Sequence, residues 1–455
     1  MTAPTAQRPP SPALEPPAAK ARGLLRILGL LFGATIIIGN TIAAGILRTP
    51  GDIAAALPSP AWFIGVWVAG GLYALGGAMT MAELAAMLPK SGGQYVYARR
   101  AMGEYAGFVI GWSDWISSAA SIAAVAIALG ELAGELWPGL AASGKLVAVA
   151  VTMTFTLLHW VGVRTGDIVT QLWGFVKVAT LLAVAIACLL ASPASAPAAR
   201  ELPFPSGFAL AGALVISFQS VLYTYDGWNG YTYFGGEVRD LRQIPRAMAL
   251  GVLSVTAVYL ALNWSFLHVL GIQGLAGEKF AARSAAIAVF GTSGDRIVSA
   301  VLALSLLGAM SALIMLTCRV PFALAEDGLL PRVVARVNKG GTPDVSLLGT
   351  ALVVLLLIVT GTFSSVLALA AFYFVLQYAV SFTSLFILRR RDPDLPRPYR
   401  AIGYPVVPAI VLLGAVAFIV GSFFGDRENT LKSVLVLLVS YPAFRLVLWL
   451  RLRSA

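Results

Sequence analysis

The chain has 455 residues, 58% hydrophobic and 12% charged, with a mean hydropathy of +0.84 and a formal net charge of +11. Soluble domains carry about 25% charged residues, so half that share at this hydropathy excludes an ordinary water-soluble protein. Apolar runs of about 20 residues recur along the whole length, which predicts an all-α polytopic membrane protein rather than a barrel.

Residues 1–22 hold six prolines in the first twenty positions and no apolar stretch. They read as a disordered tail, without the apolar core of a cleavable signal peptide. Twelve candidate spans follow: 24–49, 60–87, 104–137, 145–163, 168–192, 207–235, 246–271, 285–324, 344–361, 365–388, 405–424 and 432–450. The longer ones include tilted or interfacial portions. Of the 32 Lys and Arg, 23 fall in segments on the side of the N-terminus, 8 on the other side, and Lys177 lies inside a span. That bias predicts that both termini are cytoplasmic. It also makes the positive charge a matter of topology, so no nucleic-acid partner is expected.

Span 1 contains "IIIGNTIAAGILRTPG", Ile36 to Gly51, with Asn40, Thr41 and the small run Ala43-Ala44-Gly45 at membrane depth, before an expected stop at Pro50-Gly51. Glu83, near the end of span 2, is expected to support the loop through Lys90-Ser91-Gly92-Gly93. Trp112 and Trp115 read as packing or interface anchors. Lys177 in "QLWGFVKVATLL" is the one cation well inside a span, about 14 Å along a helix from Gly166-Asp167-Ile168, and an ammonium there needs carbonyl or carboxylate partners.

Span 6 contains "VLYTYDGWNGYTYFGGEV", Val221 to Val238. An ionised Asp226 near the bilayer centre costs about 2.5–3.5 kcal/mol, and each interior glycine is about 1 kcal/mol worse than alanine. Spans 1 and 6 therefore concentrate polarity and helix breakers at matching places of two five-span sets, 24–192 and 207–388. Such paired interruptions point to an inverted-repeat transporter with a site at the midplane. Freed N–H groups at a break suit a carboxylate, and freed C=O groups suit an amine or cation. Close helix packing through small residues is the other reading of the Ala-Ala-Gly run.

"RRRDPDLPRPYR", Arg389 to Arg400, is a charged loop kept from continuing span 10 by its prolines, and it is placed to touch anionic lipid. Cys188 and Cys318 lie within spans, so no structural disulfide is expected. His159 and His268 are far apart, and without Cys/His ligand spacing no metal site is expected. No nucleophile–base constellation appears, so neither an enzyme nor a cofactor is expected.

With these residues in hand, the chain resembles the amino acid–polyamine–organocation (APC) transporters over about 24–450, and is most similar among them to the L-type amino acid transporter light chains. Five stretches carry the likeness: "IGNTIAAGILRTP", "AELAAMLPKSGGQYVYARRAMG", "YTYDGWN", "GGEVRDLRQIPRA" and "CRVPFALAEDGLLP". The resemblance implies a LeuT-like fold: a 5+5 inverted repeat with helices 1 and 6 unwound, plus two C-terminal helices at 405–450, within a single transporter domain over 23–455. It implies that the backbone of Ala43, Ala44, Gly45 and Ile46 takes an amino acid's carboxylate. Carbonyls around Tyr223, Thr224 and Asp226 would take its ammonium, with Gly227 and Asn229 beside them and Asn40 and Thr41 on the same face. Tyr223 would be an aromatic gate. The usual Gly-Ser-Gly is here Ala43-Ala44-Gly45, which removes one hydroxyl donor and adds a Cβ at Ala43.

By the same resemblance Lys177 stands where sodium binds in sodium-coupled relatives, so sodium-independent movement is expected. Asp226 has three open roles: hydrogen-bonding the unwound backbone, reading a basic side chain, or titrating with a proton. The expected function is exchange of neutral and/or cationic amino acids across a cell (inner) membrane. Proton symport is the second reading, and an amino-acid-binding membrane sensor is a third of another class. The loop at 138–144, "PGLAASG", lacks the cysteine that would join a heavy chain, so no disulfide-linked partner is expected.

Overall fold

The computed structural model describes residues 29–42, 44–90, 92–161, 166–192, 202–339 and 341–454. The tail expected at 1–22 lies outside them. In chain order the helices are α1 Leu30–Thr41, α2 Ala44–Ala56, α3 Pro60–Met87, α4 Gln94–Met102, α5 Glu104–Leu136, α6 Gly144–Val161, α7 Gly166–Leu190 and α8 Gly207–Tyr225. They continue with α9 Ile244–Leu275, α10 Ala281–Thr317, α11 Arg319–Glu326, α12 Asp344–Thr360, α13 Phe363–Arg391, α14 Val406–Gly425 and α15 Arg427–Ser454. Among the described residues the only β pairing is an isolated bridge between Val337 and Pro343. Nine helical spans there are long and apolar enough to cross a membrane, and the bent pair α1–α2 makes a tenth.

The helix boundaries follow local chemistry. Pro60 opens α3 and Pro245 lies in the first turn of α9, where a missing N–H costs nothing. Thr362 and Ser365 form a capping box at the start of α13, and Arg389, Arg390 and Arg391 occupy its last turn, where the helix dipole favours cations. Gly93 and Gly103 flank α4 with φ of +73° and +97°, so this short helix is set off at both ends by backbone that only glycine adopts easily. The sequence reading placed no helix there.

Three predicted spans need correction. Span 1 does not stop at Pro50-Gly51: α2 runs through Pro50 to Ala56. The proline forfeits one hydrogen bond to Ile46, and Gly51 serves close approach instead. A Cβ on Gly51 would lie 2.0 Å from the Glu278 carbonyl oxygen, and its own carbonyl accepts from the Gly277 N–H at 2.9 Å. Span 6 is α-helical only to Tyr225, and the chain then makes short 3-10 turns until Ile244. Span 8 is kinked at Gly291, φ +65°, and broken again at Cys318.

Helices α5 and α13 are the most enclosed, and they pack on each other at the centre. Peripheral α14 and α15 present bare leucine, valine and phenylalanine outward, among them Leu413, Phe424, Leu435 and Leu438, as a lipid-facing surface does. In α3, Gly70 and Gly71 let α8 and α9 approach so closely that a Cβ would meet Val221 at 2.2 Å and Thr256 at 2.7 Å. Both described chain ends share one end of the bundle with α4. The Leu30 N–H donates to Gln243, Tyr231 donates to the Gly29 carbonyl, the Gly92 N–H donates to the Tyr233 carbonyl, and Arg451 pairs with Glu104.

Candidate functional site

Helix α1 ends at Thr41, Ile42 is extended (φ −76°, ψ 92°), and α2 leaves at 52° to α1. Ala43 and the side chain of Ala44, both expected at the site, lie outside the described residues. The second interruption begins at Asp226 (φ −58°, ψ 149°), followed by Gly227 at φ +110°. The two breaks meet. A Cβ on Gly227 would lie 2.8 Å from the Thr41 nitrogen and 2.9 Å from the Asn40 carbonyl carbon, while one on Gly230 would lie 2.7 Å from Asn40 Nδ2.

One side chain joins the two ends. The Tyr259 hydroxyl of α9 lies 2.7 Å from the Thr41 carbonyl oxygen and 2.9 Å from that of Thr224, so its single proton can serve either. A helix end buried without such a partner would leave carbonyls unsatisfied. On the α2 side, Thr49 donates to the Gly45 carbonyl at 2.9 Å and lies 3.1 Å from the Thr224 hydroxyl. Gly45 packs on Thr224 with no room for a Cβ.

Beneath the junction lies a cavity of about 570 Å³ that runs to the α4 end, where exposed Arg319, Glu326 and Asp327 form its mouth. That volume suits a small organic ligand. Of the residues expected at the site, Asn40, Asp226, Gly227 and Asn229 line it. Thr41, Gly45, Ile46, Tyr223 and Thr224 are buried above it and are not part of its wall. The side chain of Lys177 lies outside the described residues.

The cavity also holds residues the sequence reading missed. Asp114 of α5 lines it and receives the Tyr233 hydroxyl, 2.9 and 2.8 Å from its two oxygens. Asp226 receives the hydroxyl of Tyr378 from α13. A signal for Asp114 was available: Asp114, Ser117, Ser118 and Ser121 recur at helical spacing and draw a polar stripe along an otherwise apolar helix. Tyr378 carried no such mark, because it sits in an apolar run; Tyr233 lies inside the second interruption, where nothing sets it apart from Tyr231.

Away from the α4 end the junction is sealed in layers. The Tyr223 ring packs edge-on against Phe363, with centroids 6.5 Å apart, and the Arg48 guanidinium sits 4.9 Å over Phe363. Arg48 is buried and paired with Asp52 at 3.0 Å and Glu131 at 3.1 Å, while Arg283 holds Glu135 at 2.6 Å. At the α4 end, fully buried Glu83 receives Arg389 at 2.8 and 2.5 Å and the Ala401 N–H at 2.7 Å. It anchors the 389–401 loop, not the 90–93 loop expected for it. In the same loop, hydrogen bonding from Arg391, helped by Arg100, holds the Asp392 carboxyl below the usual carboxylate range.

Residues 23–444 match the family model for amino acid permeases. The chain belongs to that family. It is 28% identical to the serine/threonine exchanger SteT of Bacillus subtilis over 437 residues, covering 93% of this chain and 97% of that one. It is 27% identical to the mouse b(0,+)-type amino acid transporter 1 (90% and 84% covered) and 26% identical to the rabbit large neutral amino acids transporter small subunit 2 (94% and 81%). The permease is therefore a multi-pass amino-acid transporter of the APC superfamily related to the L-type light chains, and not an enzyme.

Proposed function

We propose that the permease exchanges amino acids across a cell (inner) membrane without sodium, by alternating access to the junction of two broken helices in a LeuT-like fold of twelve spans. The observation that carries this reading is the backbone contact of Gly227 with Asn40 and Thr41 at the head of an open cavity. There, peptide groups released from helical bonding meet ligand-sized space. In the proposed cycle the first N–H groups of α2 and the carbonyls at the end of α8, buried just above the cavity in this state, would come to hold a carboxylate and an ammonium. Layered closure on the Arg48 side, with an open mouth on the α4 side, corresponds to one of the two states such a cycle needs.

Exchange is supported by the similarity to SteT, which is named a serine/threonine exchanger. Sodium independence rests on Lys177 taking the place of the ion. With cytoplasmic termini, the open side faces the cytosol. The reading that no disulfide-linked heavy chain is needed rests on the 138–144 segment, which has no cysteine.

The test is purified protein in liposomes. Labelled serine, alanine, leucine or arginine should enter preloaded vesicles and not empty ones, equally with and without sodium. Proton symport is the competing reading, favoured by two cavity carboxylates that accept hydrogen bonds from neutral hydroxyls. Uptake into empty vesicles driven by a pH gradient would establish it and refute exchange. Dependence on a sodium gradient would refute the role given to Lys177.

A further inference from the structure

We propose that Arg239, Arg242 and Arg246 form a docking surface for an acidic phospholipid, whose bound headgroup steadies the first turn of α1. The surface lies at the α4 end of the bundle, apart from the cavity, and does not depend on which amino acid is carried. All three arginines are exposed, and among the described residues none has an acidic partner. Asp240, the carboxylate between them, serves as a cap instead, accepting from the Arg242 backbone N–H at 3.0 Å. The side chain of Glu237 lies outside the described residues.

The same surface continues as a strip suited to a lipid tail. Along α9, Arg246 is followed at helical spacing by Leu250, Leu253, Ala257 and Trp264, so all five share one face. All are exposed, Leu253 by 54% and Trp264 by 60%. The rise from Arg246 to Trp264 is about 27 Å at ~1.5 Å per residue, close to the ~30 Å of a hydrocarbon core. Tryptophans mark the interfaces of a bilayer, and an arginine at a helix end keeps its charge among the headgroups. The three cations therefore stand at headgroup depth, with bare leucines directly beyond them.

That combination selects the partner. A ligand that meets both the leucines and the guanidinium groups carries its charge at one end of an apolar chain. Arginine grips phosphate oxygens with paired N–H donors. A zwitterionic headgroup also brings an ammonium that the arginines repel, whereas an acidic one brings only the charge they attract. A soluble anion gains nothing from the apolar strip.

The surface is tied to α1. Gln243 lies between Arg242 and Arg246, and its side-chain oxygen accepts from the N–H of Leu30, the first residue of α1, at 3.1 Å. Gly33, one turn on, packs against Ala247 with no room for a Cβ. A headgroup that fixes the 239–246 segment thereby fixes the start of the helix whose other end meets Gly227.

The test is full-length protein in detergent with equimolar dioleoyl phosphatidylglycerol and dioleoyl phosphatidylcholine, read by native mass spectrometry. The wild type should retain the acidic lipid at least ~5-fold over the zwitterionic one. Replacing Arg239, Arg242 and Arg246 together by Gln should lower that preference at least ~3-fold. A charge-matched control, Gln at the exposed Arg332, Lys339 and Arg427, should stay within about 1.5-fold of wild type. The second readout is amide hydrogen exchange over 30–36, which phosphatidylglycerol should slow at least ~3-fold in wild type and not in the triple variant. A wild type without preference for the acidic lipid overturns the inference before any variant is made. So does a triple variant that keeps the preference, or an equal loss in the control, which would leave bulk charge as the cause. Inorganic phosphate that protects 30–36 as well as the lipid does overturns the lipid as occupant. Lipid binding without that protection overturns the tie to α1. Each of these outcomes leaves the transport reading standing.

Discussion

Gly227→Ala tests the meeting of the two breaks directly. The residue holds φ at +110°, where side chains other than glycine's are strained by about 1–3 kcal/mol. The added methyl would also stand 2.8 Å from the Thr41 nitrogen and 2.9 Å from the Asn40 carbonyl carbon and Thr41 Oγ1. Two of those three are backbone atoms, so relief requires α1 and the segment after α8 to part. Parting them stretches the bond from Tyr259 to the Thr41 carbonyl, a loss of about 0.5–1.5 kcal/mol. A total near 2–4 kcal/mol corresponds to about 30- to 1,000-fold in an equilibrium or rate constant. The assay is liposome transport of the labelled amino acid that the wild type carries best, per correctly inserted protein, alongside thermal unfolding in detergent; exchange is the proposed mode. Gly39→Ala is the control, because a methyl there meets nothing within 4 Å. Exchange should fall at least ~30-fold in Gly227→Ala and stay within about twofold in Gly39→Ala. Equal behaviour of the two variants would refute the claim that the junction is a close backbone contact.

Three further outcomes follow from named contacts. Tyr259→Phe removes the donor shared by the Thr41 and Thr224 carbonyls and should lower stability by about 1–3 kcal/mol, read as a drop in the thermal midpoint. Glu83→Gln strips a fully buried carboxylate from Arg389 and should cost about 3–5 kcal/mol. The double variant with Arg389→Gln should then cost clearly less than the two single costs added, and simple additivity would deny the pairing. Arg48→Gln frees Glu131 and Asp52 and uncovers Phe363, so labelling of Tyr223→Cys by a membrane-impermeant thiol reagent from the Arg48 side should rise several-fold. An unchanged labelling rate would remove Arg48 from the closure.

The interruptions were legible because each violates two rules at once: polar groups at membrane depth, and poor helix formers inside an apolar run. Asp226 with Gly227 is the clear case, and the helix stops one residue before Asp226. Pro50-Gly51 shows the limit of the same reasoning. A proline and a glycine together resemble a stop, but the glycine is required by the backbone at Glu278, about 230 residues away, and no local pattern carries that information. Arg48 misleads for a similar reason: counted as a loop charge, it is a buried residue of α2 whose partners come from α2 itself and from α5. Asp114 is less visible because no helix breaker accompanies it, and its only sequence signal is the polar stripe it shares with Ser117, Ser118 and Ser121. Tyr233, Tyr259 and Tyr378 are harder still, since burial hides the ring while the hydroxyl does the work, and only packing reveals what it reaches.

These tyrosines explain how a broken helix survives in a membrane. An interruption releases donors and acceptors where no water competes, at a cost of several kcal/mol for each one left bare. Here the released groups are divided by sign. The carbonyls of Thr41 and Thr224 face the Tyr259 hydroxyl, and the Asp226 carboxylate faces that of Tyr378. A hydroxyl can satisfy an acceptor without bringing a charge of its own, so it steadies the break and leaves the site's net charge for the ligand to set. A lysine or arginine at position 259 or 378 would bind the same oxygens more tightly and, on the proposed transport reading, would compete with a substrate's ammonium. The scaffold therefore has to be held by neutral donors, and the strong interactions at the junction are left to be completed by what the cavity admits.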